Sequence, residues 1–132
     1  MSANFTGTWK ANLSMSRLMG PMPKAILMKI VHSDPQLQEE IFVTRADGNE
    51  ERIVFQCRTD GKPDGNLLNG RAVRGGARWE GEDLVIESWI QVGTTERHFC
   101  DYWSLSPDGQ TLSMEHRDDD LAGQLTILDK AG

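Results

Sequence analysis

The sequence predicts an all-β protein, an antiparallel up-and-down barrel of about 8–10 strands with a short loop or helical turn after the first strand. Turn signals are the first observation behind this. Thirteen glycines stand in 132 residues. Asp47-Gly48, Asp60-Gly61, Asp64-Gly65, Asn69-Gly70, Gly75-Gly76, Gly81, Gly93, Pro107-Asp108-Gly109 and Gly123 punctuate the chain, mostly at the roughly 8–12-residue spacing of a β-meander. Second, the stretches between these signals are short and strand-like. Third, their connections are too short for parallel crossovers, so neighbours pair antiparallel. Such a sheet avoids open edges by splitting into a sandwich or by closing on itself, and meander order favours closure.

Taken in order, strands are expected over residues 5–11, 25–33, 37–45, 51–59, 70–74, 77–80, 84–92, 95–104, 111–117 and 124–129. Residues 12–24 (NLSMSRLMGPMPK) resist a strand assignment, because two prolines, a glycine and three methionines leave room for at most one helical turn before Pro21. This segment reads as a lid or a bottom-closing loop, with Met15, Met19 and Met22 packed under a barrel end. No repeat or shift of composition divides the chain, so residues 1–132 read as one domain.

Fourteen Lys and Arg against twenty Asp and Glu give a net charge of −6, which argues against nucleic acid or an anionic membrane as the main partner. The start of the chain lacks the basic-then-apolar pattern of a signal peptide. No apolar run approaches the ~18 residues of a membrane span, so a soluble, cytoplasmic protein is expected. Cys57 and Cys100 lie in strand-like runs outside any Cys-x-x-Cys or Cys/His metal spacing, and read as reduced thiols in a core.

Phe5-Thr6-Gly7-Thr8-Trp9-Lys10 resembles the opening of the calycin group, the fatty-acid-binding proteins and lipocalins, in which a Gly-x-Trp on the first strand lays an indole across the closed end of the barrel. The chain length is also similar to that of a fatty-acid-binding protein. Gly81–Ser88 followed by Gly93–Phe99 resembles the last hairpin of those carriers, which ends in an Arg-x-Tyr pair that holds a fatty-acid carboxylate. Bacterial lipocalin-like proteins share the look of Trp79–Ser88 and of Trp103–Gly109. The resemblance implies a barrel with an internal hydrophobic ligand, and a carboxylate-binding role for Arg97. The chain departs from the pattern where residues 12–24 are too short and proline-rich for a helix-turn-helix, where Phe99 replaces the tyrosine, and where two further strands follow the Arg97 hairpin.

Alternation places Leu112, Met114 and His116 on one face of their strand. A three-residue loop at Pro107-Asp108-Gly109 pairs Ser104 with Leu112, Tyr102 with Met114 and Cys100 with His116, which turns His98, Cys100 and Tyr102 inward. Leu84, Ile86, Ser88, Ile90 and Val92 form the apolar parity of the preceding strand. A three-residue loop at Gly93-Thr94-Thr95 keeps both sets inside, but sets Glu87 against Asp101 outside. A two-residue Gly93-Thr94 turn removes that like-charge pair and turns Arg97, Phe99 and Asp101 inward instead. The first register is preferred because it buries more apolar side chains. It brings Trp89 and Trp103 together outside, a patch suited to a homodimer interface, so the protein is a monomer or a homodimer.

The expected cavity is lined by Ile26, Met28, Ile30, Ile53, Phe55, Cys57, Leu84, Ile86, Ile90 and Met114, with His98, Tyr102, His116 and Ser88 as sparse polar groups, a composition that suits a small amphipathic ligand. The ligand-binding set is therefore Tyr102, His116, His98, Ser88, Met114, Met28 and Phe55, with Arg97 added by the resemblance. No Gly-x-Ser-x-Gly, phosphate loop or His-x-x-x-His pair occurs, so no catalytic residue, metal ligand or cofactor is assigned. The predicted function is non-enzymatic binding or transport of a small hydrophobic ligand, a fatty acid or similar. Two alternatives stand beside it. One is a small barrel enzyme or haem-binding barrel using Tyr102 with His98 or His116. The other is a barrel filled by its own side chains and acting as an interaction module.

Overall fold

In the computed structural model, described over residues 4–18, 21–68, 71–118 and 124–131, ten strands form one antiparallel sheet. They are β1 (Gly7–Ala11), β2 (Ala25–Ser33), β3 (Gln36–Thr44), β4 (Glu50–Arg58), β5 (Asp64–Leu68), β6 (Arg71–Glu80), β7 (Asp83–Val92), β8 (Thr95–Leu105), β9 (Thr111–Asp118) and β10 (Gln124–Lys130). Their order, β4-β3-β2-β1-β10-β9-β8-β7-β6-β5, is a meander closed by the pairing of β1 with β10. Among the described residues, no helix is long and apolar enough to cross a membrane.

The ladder is not hydrogen-bonded between β4 and β5, the two ends of that order. The Asn66 carboxamide spans this gap. Its Oδ1 accepts from the Gln56 backbone N–H at 2.8 Å, and its Nδ2 donates to the Gln56 carbonyl at 2.9 Å, so one side chain supplies both halves of a missing backbone pair. Behind it, the Phe55 ring lies against Gly75, where a Cβ would collide with the ring. Gly75-Gly76 therefore marks a close approach inside β6 rather than the expected turn. The separate strands expected over 70–74 and 77–80 are one strand, and β5 includes Asp64-Gly65, which also reads as a turn in the sequence. Asn69-Gly70 and Gly123 fall outside the described residues.

One end of the barrel is plugged. Phe5 and Trp9 are fully buried. The Trp9 indole N–H donates to the Phe5 carbonyl at 3.0 Å, and the Phe5 ring stacks on His32 and Trp79 and meets the edge of Trp103. His32 Nδ1 accepts from the Phe5 N–H at 3.2 Å, so Nε2 carries the ring proton and donates to Asp34 at 2.6 Å. Burial pulls the Asp34 carboxyl upward, but the hydrogen bonds from His32 and Thr59 outweigh it and hold the group below its ordinary value. Gly-x-Trp thus does what the resemblance implies.

Residues 12–18 and 21–24 lie at the opposite end. They are tied down by Asn12 N–H to the Ile127 carbonyl, by a bridge between Arg17 and Leu125, and by Lys24 N–H to the Thr44 carbonyl. No barrel end covers Met15 and Met22, which are 65% and 49% exposed, contrary to the expected packing; Met19 lies outside the described residues.

Two hairpins depart from the preferred registers. The β7–β8 turn is two residues long, with Gly93 at φ +64°, pairing Val92 with Thr95, Ile90 with Arg97 and Ile86 with Asp101. The β8–β9 loop is one residue longer than expected, since the Ser106 N–H donates to the Thr111 carbonyl and Asp108 caps Ser106 and Gln110. Ser104 therefore faces Ser113, and Asp101 faces His116. This register buries Trp103, while Phe99, Cys100 and Tyr102 all stay partly exposed, and the large indole removes more apolar surface from water than the smaller side chains would. The same register frees Glu87 to pair outside with Arg78 and His98. Trp103 is buried inside while Trp89 stacks on His98 outside, so the expected Trp89/Trp103 patch does not form.

Two substitutions test this packing. Phe5→Ala should lower stability by about 3–5 kcal/mol, as for other buried phenylalanines, seen as a shifted denaturant midpoint with an unchanged slope. Gly75→Ala should cost about 1–3 kcal/mol through overpacking against Phe55, and in a Phe55→Leu background that penalty should shrink. A penalty of the same size in both backgrounds would show that the ring contact is not its source.

Candidate functional site

Between the aromatic plug and the open end, the barrel encloses a cavity of about 480 Å³. Its wall is what period-2 alternation of the strands turns inward: Ile26 and Met28 of β2, Glu39, Ile41 and Val43 of β3, Ile53 and Phe55 of β4, Val73 of β6, and Ile86, Ser88 and Ile90 of β7. Phe99, Asp101 and Trp103 of β8, Met114 and His116 of β9, and Gln124 and Thr126 of β10 complete it. Ile30, Cys57 and Leu84, expected in the lining, instead belong to the buried core.

Of the residues singled out from the sequence, Met28, Phe55, Ser88, Met114 and His116 meet at this cavity. Arg97 shares their face, opposite Ile90, with its guanidinium 5.6 Å from the centre of the Phe99 ring, but it is not among the lining residues. His98 and Tyr102 are on the outside, a consequence of the two-residue turn. Tyr102 lies under the Arg117 guanidinium at 4.5 Å. It is thus on the opposite face from His116, so the acid–base pair that a Tyr102–His116 enzyme requires is not brought together.

His98 has a different neighbourhood. Its Nε2 is 3.0 Å from Glu87 Oε2 and 3.7 Å from Cys100 Sγ, and the three ligand-type atoms fall within 4.8 Å of one another. A carboxylate, an imidazole and a thiol suit a zinc-like ion. The three groups are only half-buried, and Glu87 is already paired with Arg78.

The polar groups inside the cavity include Asp101, which the sequence turned inward only in the less preferred register, and Glu39, which it did not single out. Asp101 Oδ1 lies 2.8 Å from His116 Nδ1, and the His116 ring stacks on Phe99. Glu39 sits between Ile30 and Phe55 in register, is 9% exposed, and its Oε2 has no hydrogen-bond partner. Burial, reinforced by the charge of Asp101, pushes its carboxyl up to about 8. A signal for it was present. Leu37, Glu39, Ile41 and Val43 share one parity of β3, and a lone carboxylate in an apolar parity marks a charge facing a core. Burial likewise pushes the Cys57 thiol up to about 12, leaving it protonated and unreactive.

Glu39 should leave a signature in stability. Its ordinary value is 4.5 and its folded value about 8, so between these limits the folded protein retains a proton that the unfolded chain has released. The unfolding free energy must then fall as pH rises from about 5 to about 8, by an amount of the order of a few kcal/mol, and level off beyond. Glu39→Gln keeps the shape and removes the titration. Its unfolding free energy should lack that component of the fall, making the variant more stable than wild type at pH 8. Parallel curves for the two proteins, from denaturant midpoints at pH 5, 6, 7 and 8, would refute the assignment.

No protein-family model matches the sequence, and no curated protein matches it. Solved structures do. Secretory abundant heat soluble protein 4 from Ramazzottius varieornatus superposes with a TM-score of 0.66 at 10% identity, over 100% of this chain and 99% of that one. Apo lipid binding protein 8 from Caenorhabditis elegans gives 0.66 at 10% identity, over 99% of both chains. A Schistosoma mansoni fatty acid binding protein in complex with arachidonic acid gives 0.62 at 9% identity, over 97% and 96%. At such identities the likeness speaks for architecture alone, an antiparallel β-barrel of the kind seen in these solved structures.

Proposed function

We propose that the protein binds a small hydrophobic molecule inside its barrel and carries it without chemical change. The observation that carries this reading is the cavity of about 480 Å³ with a mostly aliphatic and aromatic wall, above an end sealed by Phe5, Trp9 and Trp103. A volume in the range of roughly 300–1,000 Å³ with few polar groups suits a ligand that buries most of its surface. Two of the matched structures are named as lipid- or fatty-acid-binding proteins, which supports the same reading. In it, Met28, Phe55 and Met114 contact the apolar part of the ligand, and Ser88 and His116 supply polar contacts.

Native mass spectrometry of the purified protein, with organic extraction of whatever is bound, tests the proposal. An adduct of lipid-like mass, or saturable uptake of an environment-sensitive apolar fluorophore that quenches or shifts the Trp103 emission, is the expected result. Ile86→Trp, which fills the cavity from β7, should lower fluorophore uptake by roughly tenfold or more, since the ligand and the indole compete for one volume. A wild-type protein that neither carries nor takes up an apolar molecule would overturn the proposal.

A further inference from the structure

The charge balance of the cavity is one-sided. Among the described residues that line it, the ionisable ones are two carboxyls, Glu39 and Asp101, and one imidazole, His116; no lysine or arginine is among them. His116 is bonded to Asp101, whereas Glu39 Oε2 is a buried acceptor with no partner. An unpaired polar atom in a buried position costs free energy that a ligand donor there would recover. An anionic end group would meet the opposite situation, lying against two carboxyls with no lysine or arginine among the lining residues to offset its desolvation.

Building on the proposal that the barrel carries an apolar molecule, we infer that Glu39 is its specificity-determining residue, receiving a non-anionic, hydrogen-bond-donating end group, an ammonium or a hydroxyl, on an apolar chain. The carboxyl is suited to both kinds of donor. In its neutral form, favoured by burial, it accepts from a hydroxyl without any charge being moved into the barrel. Facing an ammonium, it ionises and forms a charge-assisted pair, releasing its proton to solvent. The groups surrounding it allow this. Ile30 of β2 and Phe55 of β4 flank it in register. Asp101 of β8 and the protonated Cys57 thiol of β4 are the titratable groups that feel it. His116 of β9 faces Asp101 rather than Glu39. Asp101 would add to the attraction for a cation and to the repulsion of an anion.

Competition binding with dodecylamine, dodecanol and dodecanoate, each displacing one apolar fluorophore from the full chain at neutral pH, tests this. The amine and the alcohol are expected to bind roughly tenfold or more tightly than the carboxylate. The amine should gain affinity between pH 6 and pH 8 as Glu39 gives up its proton more readily, while the alcohol should not, which separates the two donor types. Glu39→Gln should abolish that pH dependence and narrow the gap between the amine and the carboxylate, leaving only the part that Asp101 supplies. Glu39→Leu, which places an apolar side chain of similar size there, serves as a second variant. If wild type binds all three but the carboxylate best, or if neither variant narrows the gap between the amine and the carboxylate, Glu39 does not select the end group although the barrel carries ligands. If none of the three displaces the fluorophore and nothing apolar is bound, carriage itself fails, and this inference with it.

Discussion

The double pairing of β1 holds the rest of the structure in place. This five-residue strand bonds to β2 on one side and to β10 on the other, and so joins the first and last strands of an otherwise linear meander. Trp9 lies across from Met28 on one neighbour and Lys130 on the other, while Phe5, just before the strand, reaches His32 of β2, Trp79 of β6 and Trp103 of β8. Aromatic pairs of this kind contribute about 0.5–1.5 kcal/mol each beyond their buried area. A single short segment therefore closes the barrel wall and seals its floor. Because the large aromatic side chains are concentrated at that floor, the volume above it is left to smaller aliphatic residues. The cavity is a result of where the bulk was placed.

A closed wall with a sealed floor also sets the electrostatics of the interior. Charges that would be trivial on the surface become decisive where water is excluded. Outside, Arg52 pairs with Glu40, Arg45 with Glu51 and Arg74 with Glu96, all exposed and worth little individually. Inside, Asp101 is answered by His116, whereas Glu39 Oε2 has no hydrogen-bond partner among the described residues. The second half of the molecule that completes Glu39 is, on the reading argued above, the ligand. A polar group retained at a cost to stability is a familiar mark of a binding site, where the partner restores what folding gave up.

The gap between β4 and β5 belongs to the same design. Closing a ten-stranded sheet leaves one seam, and here the Asn66 amide and the Phe55 ring over Gly75 fill it. Phe55 also lines the cavity, so the seam and the ligand space share a side chain. This ties the seam to the contents of the barrel.

Much of the barrel is legible in local chemistry. Most strands, the meander order and the inward parity of Met28, Phe55, Ser88 and Met114 follow from turn residues and period-2 alternation, which act over a few neighbouring positions, whereas the Gly-x-Trp plug was implied by resemblance alone. The glycines were harder, because a glycine that makes a turn and one that admits a ring look alike in one dimension; Gly75 is explained only by Phe55, twenty positions away in the chain but adjacent in space. The same holds for β8. Whether Tyr102 and His98 or Asp101 and Phe99 look inward rests on one residue in the turn at Gly93, and the two choices differ by small, opposing local terms. The balance was struck by Trp103 finding the Phe5 plug and Asp101 finding His116, contacts that exist only after the sheet has closed. Glu39 stands between these cases. Its parity is written in the sequence, but its isolation, and hence its chemistry, comes from being enclosed.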